Sequence, residues 1–241
     1  MDDLHKKIRE FISGNIGDFH QRRLLSLEKL KLNDVLKRKN PYLFKAKNIL
    51  QASDLVRTIL DARLSSQEET IFGEFLEQLA IFVSETSGGR KSSSQGIDLE
   101  MDRDGKRYVV SIKSGPNWGN SGQIRNMIDD FEHAKKIYHT NNPQQEIVAI
   151  NGCCYGRSHP GYRKGGYFKF CGQAFWEFIS GDENLYTKII EPLGDKAKRR
   201  NDQFAKAYAK VINQFTLEFS QEFCTDGVID WGKLVEFNSS K

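Results

Sequence analysis

Two hydrophobic rhythms run along this chain, and the change from one to the other divides it. In residues 3–38 apolar side chains return at helical spacing among Lys, Arg and Glu: Leu24, Leu25, Leu27, Leu30 and Leu32, then Val35 and Leu36. This is the pattern of an amphipathic helix. Asn40-Pro41 ends it, because proline disfavours a helical residue before it. A second helix is predicted over roughly residues 50–64 and a third over about 66–84. The third carries a stripe of Phe72, Phe75, Leu76, Leu79, Phe82 and Val83 and stops at Gly88-Gly89.

From residue 96 the period shortens. Gly96-Ile97-Asp98-Leu99-Glu100-Met101 reads as a strand, residues 102–105 (DRDG) as a hairpin turn, and residues 107–113 (RYVVSIK) as its partner. Ser114-Gly115-Pro116-Asn117 stops the second strand. A helix over about 121–138 follows, with Ile124, Met127, Ile128, Phe131 and Ile137 on one side. Residues 146–154 (EIVAINGCC) are apolar almost throughout and predict a central strand. A Gly-rich basic loop spans 156–166. After residues 167–170 the rest reads as helical, its long element running from about Asp195 to Phe223 with Phe204, Tyr208, Val211, Ile212, Phe215 and Phe219 inward and Arg199, Lys206 and Lys210 outward. This order predicts an α/β fold: a small mixed β-sheet flanked by helices, with helical N- and C-terminal regions. No repeat or Ser/Pro-rich linker divides the sequence. A single domain over 1–241 is expected, with a helical region at 1–65, an α/β core at 66–171 and a helical region at 172–241.

Composition narrows the class. With 241 residues, 38% hydrophobic and 28% charged, the chain suits a soluble globular protein and not a collagen-like, low-complexity or mostly disordered one. Its 36 basic against 32 acidic residues leave a net charge of only +4, a weak pointer toward nucleic acid. No apolar run approaches the roughly 20 residues of a membrane span, so no membrane association is expected. The start, MDDLHKKIREF, lacks the apolar stretch of a signal peptide. Cys153, Cys154, Cys171 and Cys224 form no C-x-x-C pair, so free thiols in the cytoplasm are expected.

The chemistry concentrates between Asp98 and Lys113. Side chains alternate along a strand, so Ser111 and Lys113 share one side and Val110 and Ile112 the other. An antiparallel hairpin brings Asp98 beside Ser111 and Lys113. A carboxylate is a ligand for Mg²⁺, and a lysine beside it positions water or stabilises charge on a phosphate. The plain rival is a cross-strand salt bridge. Other templates fail. GGRKS (residues 88–92) has Arg90 between Gly89 and Lys91 and lacks the leading glycine of a phosphate loop. GRSH (156–159) does not complete a G-x-S-x-G elbow. His159 with the adjacent Cys153 and Cys154 makes a poor zinc set.

Gly96-Ile97-Asp98, then Ser111-Ile112-Lys113, within this order of elements, resembles the core of the PD-(D/E)XK nuclease superfamily. SIKSGPNWGNSGQ and CGQAFWEFISGDENLY are similar to type II restriction endonucleases in particular. The core resemblance covers about residues 66–155. It implies a restriction-endonuclease-like fold and Mg²⁺-dependent double-strand cutting of a short DNA sequence, leaving 5′-phosphate and 3′-hydroxyl ends, with Mn²⁺ able to substitute. It further implies a homodimer and a companion DNA methyltransferase acting on the same site. Asp98, Lys113 and Glu77 are the implied catalytic residues, with Asp98, Glu77 and the Ile112 carbonyl toward the metal. Ile97 stands in place of the family's proline. Ser111 stands where the second acid is usual, giving a Ser-x-Lys variant. Glu77, on a small-residue strip with Gly73, Ala80 and Ser84 that lets DNA approach, is the first candidate to replace that acid. Glu100, then Asp129 and Asp130, follow. Other readings of the same core are a sequence-independent or structure-specific repair or recombination nuclease and an inactive DNA-binding relative.

Asn117, Trp118, Asn120, Ser121 and Gln123 surround the start of the helix at 121. Asn120 or Ser121 is expected to cap it, its N–H groups to meet a phosphate, and Gln123 to reach the scissile phosphate or orient Lys113. Core packing is the rival for Trp118. Arg157, Arg163 and Lys164, with Tyr155, Tyr162 and Tyr167, make a basic aromatic region suited to phosphate contact and base reading, or an ordinary solvated loop. Lys196, Lys198, Arg199 and Arg200 read as a solvated face.

Overall fold

The computed structural model describes residues 2–157, 159, 161–194 and 197–240. Ser158, Lys196 and the predicted helix start at Asp195 lie outside them. In chain order the elements are α1 (Asp2–Glu28), α2 (Leu32–Leu36), α3 (Pro41–Ala46), α4 (Ala52–Glu85), β1 (Gly89–Lys91), β2 (Leu99–Arg103), β3 (Lys106–Lys113), α5 (Ser121–Asn141), β4 (Glu146–Cys153), β5 (Gly161–Arg163), β6 (Tyr167–Cys171), α6 (Gln173–Ser180), α7 (Leu185–Lys188), α8 (Ile190–Leu193), α9 (Ala197–Phe223), β7 (Cys224–Thr225), β8 (Val228–Ile229) and α10 (Trp231–Ser239). They form two compact units, one from residues 1–16 with 72–195, the other from 17–71 with 196–241.

The first unit is a mixed α/β layer structure, as the sequence pattern predicts. Its six-stranded sheet has the order β1-β2-β3-β4-β6-β5. β1, β2 and β3 are antiparallel neighbours, β3, β4 and β6 run parallel, and β5 folds back on β6. The β2–β3 hairpin closes through Asp104 (φ 53°) and Gly105 (φ 73°), the paired positive φ values of a tight hairpin turn. β4 lies in the middle and is buried along most of its length, as its apolar sequence requires. α5 covers one sheet face, burying Met127, Phe131 and Ala134 against Val109, Ile147, Ala149 and Tyr167. Ile137, expected on that side, is 40% exposed; Tyr138 packs there in its place. Gly152 lets Phe175 of α6 press on β4: a Cβ at that position would sit 2.2 Å from the ring.

The second unit has a helical core of Leu27, Leu36, Leu55, Leu60, Phe215, Phe219 and Phe223 among others. Arg23 lies over the Phe204 ring at 3.5 Å. Asn238 donates to the carbonyls of Leu36 and Lys39, at 3.1 and 3.0 Å.

Five local expectations are corrected. Residues 50–64 and 66–84 are one helix, the 34-residue α4; Ser65-Ser66 weakens helix propensity but removes no hydrogen bond, so burial on both sides carries the helix through. The 3–38 segment is interrupted after Glu28 and resumes as α2. Asn40 does more than stop a helix: it begins α3, its side chain accepting from the N–H groups of Tyr42 and Leu43 with Pro41 at the first helical position. The loop at 156–166 contains β5, and the C-terminal region contains the β7–β8 hairpin, turned at Asp226 (φ 51°) and Gly227 (φ 78°).

Phe219 is fully buried whereas Leu217, two residues earlier, is 59% exposed. Phe219→Ala is expected to cost about 3–5 kcal/mol, and Leu217→Ala less than about 0.5 kcal/mol. Urea unfolding midpoints of the two variants check this.

Candidate active site

The hairpin register fixes where Asp98 stands. Leu99 pairs with Val110, and the Asp98 N–H also donates to the Val110 carbonyl at 2.9 Å, so Asp98 lies just outside the paired register, against the same residue as Leu99, and not opposite Ser111 as strand alternation predicts. Its carboxylate accepts the Ile112 N–H at 2.5 Å, and the buried Ser111 favours its ionised form. Among the described residues no ion pair joins Asp98 to Lys113, yet the Lys113 charge favours the ionised form of Asp98. The two share a neighbourhood without closing a salt bridge.

Lys113 ends β3, and the loop after it is tightly held. The Tyr155 ring lies against Gly115, where a Cβ would meet it at 2.4 Å, and Lys169 donates to the Pro116 carbonyl at 2.7 Å. This brings Trp118 back over the strand. The Lys113 ammonium lies 5.2 Å from its ring centroid, and its indole N–H donates to Asn151 Oδ1 at 3.2 Å. Asn151, 1% exposed, donates in turn to the Ser111 carbonyl at 3.3 Å. Trp118 thus faces the lysine and also packs against the core under α5, as the core-packing reading expects. The pattern of residues did not single out Asn151. Its signal was a lone amide in an otherwise apolar central strand, which must find partners when buried.

Of the four acids offered to replace the missing one, Glu77 stands at the site. It projects from α4 one turn after Gly73, whose Cβ position is 3.5 Å from Ser114 at the end of β3. Ser84 lies 3.0 Å from the Cβ position of Gly89. Ala80 and Ser84 are fully buried, and small side chains there let α4 approach the strands closely. The Glu77 pKa is raised, by burial first and then by repulsion from Asp98, with Lys113 opposing. The Asp98 pKa is also raised, by burial, against the Ile112 N–H bond, the Lys113 charge and the Ser111 hydroxyl.

The other acids are engaged elsewhere or face out. Glu100 is buried and takes hydrogen bonds from Ser92 at 2.6 Å, Arg90 at 2.6 Å and the Tyr138 hydroxyl. These bonds outweigh its burial and hold its pKa low. Asp130 packs against the backbone of Gly96, and Asp129 is exposed.

Two carboxylates from different elements, both destabilised as anions, form an all-oxygen set that a hard divalent cation would relieve. Burial pushes the pKa of the neighbouring Cys153 up to about 12, and the Cys154 thiol is raised by burial and by the nearby Cys153, Glu77 and Asp98 charges, so both are protonated in the metal-free protein. Among the described residues no group of three or more His, Cys, Asp or Glu side chains converges.

The proposed DNA contacts divide. Asn120 caps α5, accepting from the N–H groups of Gly122 and Gln123 at 3.0 and 3.1 Å, while the Gln123 side chain accepts the Asn120 N–H at 3.0 Å. Gln123 is thus part of a capping box. Asn117 and Ser121 are exposed beside it. Arg157 lines a cavity of about 890 Å³ with Tyr155, Gln173 and Tyr186, and Cys154 forms part of its wall. Arg163 donates to the His159 carbonyl at 2.9 Å. Lys164 is exposed at the β5–β6 turn, which α5 holds through Lys135 Nζ to the Gly166 carbonyl at 2.9 Å.

The sequence profile of the type II restriction endonuclease EcoO109I family matches residues 6–201. The chain belongs to that family. It is accordingly a nuclease, a hydrolase whose substrate is DNA. No curated protein sequence matches it. Among the described residues no helix is long and apolar enough to cross a membrane.

The raised Asp98 pKa gives a signed stability test. Below the ordinary aspartate range the group is neutral in folded and unfolded chains and costs nothing. As pH rises through the unfolded value toward the raised folded value, the unfolded chain ionises first, and the native state loses stability. Asp98→Asn is expected to stabilise the metal-free protein at pH 7, with the gain vanishing near pH 3. Urea midpoints of both proteins across that range in chelator check it.

Proposed function

We propose that this protein is a Mg²⁺-dependent site-specific endonuclease that cuts both DNA strands at a short sequence, leaving 5′-phosphate and 3′-hydroxyl ends. The reading rests on one observation above all: Glu77 of α4 and Asp98 of the hairpin are close enough for their charges to repel, with Lys113 acting on both. Asp98 and Glu77 would hold the cation, with the Ile112 carbonyl as a further oxygen ligand. When bound, Mg²⁺ supplies Lewis acidity that lowers the pKa of water and offsets phosphate charge. Mn²⁺ offers the same oxygen-ligand chemistry.

The chain's own groups do the rest. The Ile112 N–H holds the Asp98 carboxylate in place. Lys113, restrained under Trp118, donates to a non-bridging phosphate oxygen as negative charge develops. Water attacks phosphorus in line with the 3′-oxygen. That oxygen leaves and takes up a proton, while the phosphate stays on the 5′ side. Asn117, Ser121 and Arg157 are available for DNA contact, and Arg163 and Lys164 extend the basic surface. A symmetric site cut on both strands needs two such centres, which a homodimer supplies by matching its two-fold axis to that of the DNA. A companion methyltransferase would protect the host's copies of the site.

Purified protein with Mg²⁺ and plasmid DNA tests this. Discrete fragments are expected; a smear would indicate a sequence-independent nuclease. Asp98→Ala, Lys113→Ala and Glu77→Ala are each expected to slow cleavage by at least about 10²-fold while gel retention of DNA persists. Retention without any cutting by the unaltered protein would mark a binding relative.

A further inference from the structure

The sheet sets Asp98 between two lysine-bearing strands. Lys113 ends β3 on one side. On the other, Lys91 ends the edge strand β1, paired with Leu99, and the next residue along, Ser92, donates its N–H to the Asp98 carbonyl at 3.1 Å. Lys91 thus stands opposite Leu99, one residue along the edge strand from the Ser92–Asp98 contact.

Its neighbour has a different fate. Arg90 is committed to Glu100 at 2.6 Å and Asp102 at 3.4 Å. Lys91 is exposed, and among the described residues no ion pair holds it. Its charge nevertheless favours the ionised forms of both Asp98 and Glu77. An unpaired ammonium on a flexible four-carbon stem, at an open sheet edge and within electrostatic reach of the acid pair, is suited to an anion brought from outside.

We propose that Lys91 is a second substrate-contacting cation of the site, its ammonium meeting a DNA phosphate across the acid pair from Lys113. This rests on the nuclease reading of Asp98, Glu77 and Lys113. Two cations on either side of two carboxylates would hold consecutive phosphates of one strand so that the scissile group faces the acids. Lys91 also offsets part of the repulsion that an acid pair presents to any approaching polyanion.

The test compares unaltered protein, Lys91→Met and Lys91→Arg on a plasmid fragment that the unaltered protein cuts. DNA retention is measured in chelator across a range of salt, and single-turnover cleavage is measured with Mg²⁺. Lys91→Met is expected to reduce the slope of log K against log[salt] by about 0.9, the share of one phosphate contact. It should also cut at least about ten-fold more slowly, and Lys91→Arg should recover most of both. A Met variant with unchanged slope and rate overturns the proposal. So does slowed cutting at an unchanged slope that Arg does not rescue, which would mark a purely structural residue. If the unaltered protein does not cut, or Asp98→Ala still does, the nuclease reading of the acid pair fails, and this proposal falls with it.

Discussion

One hydrogen bond organises the candidate centre: the Ile112 amide donating to the Asp98 carboxylate. Asp98 stands one residue outside β2, its own N–H bonded to the Val110 carbonyl and its carboxylate to the Ile112 N–H. A shift of the hairpin by one residue would turn the side chain to the opposite face and separate it from Lys113. The Asp104-Gly105 turn, which fixes that register, is thus a determinant of the site although it lies at the far end of both strands.

The electrostatics follow from how α4 meets the sheet. Glu77 is partly buried because Gly73 and Ser84, on either side of it in sequence, allow the helix close to the strand ends. That approach places two like charges together and raises both pKa values. A fold seeking only stability would avoid such a pair.

Much of this was legible in the sequence, and what was not has identifiable causes. The β2–β3 hairpin, the central β4 and α5 carry strong local signals: alternation, an Asp-Gly turn, an apolar run, and a capping asparagine. Asp98 and Lys113 could be brought together on paper because strand parity is rigid. The continuity of α4 was not legible, since two serines resemble a boundary and only tertiary burial overrides them. β5 has three residues between glycines and an irregular loop, too few to show a period. β7–β8 carries the same Asp-Gly signal as the first hairpin, but its strands have two residues each, and the long amphipathic α9 before them dominates the pattern. The roles of Asn151 and Trp118 depend on a loop folding back over its own strand, which spacing along the chain does not encode.

The contact between Gly152 and Phe175 carries a consequence for how such a protein can change over generations. β4 has no room for even a methyl group where the α6 ring rests on it. Drift at either position is therefore not independent: a larger residue in the strand becomes tolerable only after the aromatic side chain has given way to something smaller. Homologues that have exchanged one should have exchanged the other, and the route between the two states passes through the cavity left by the smaller residue rather than through the clash.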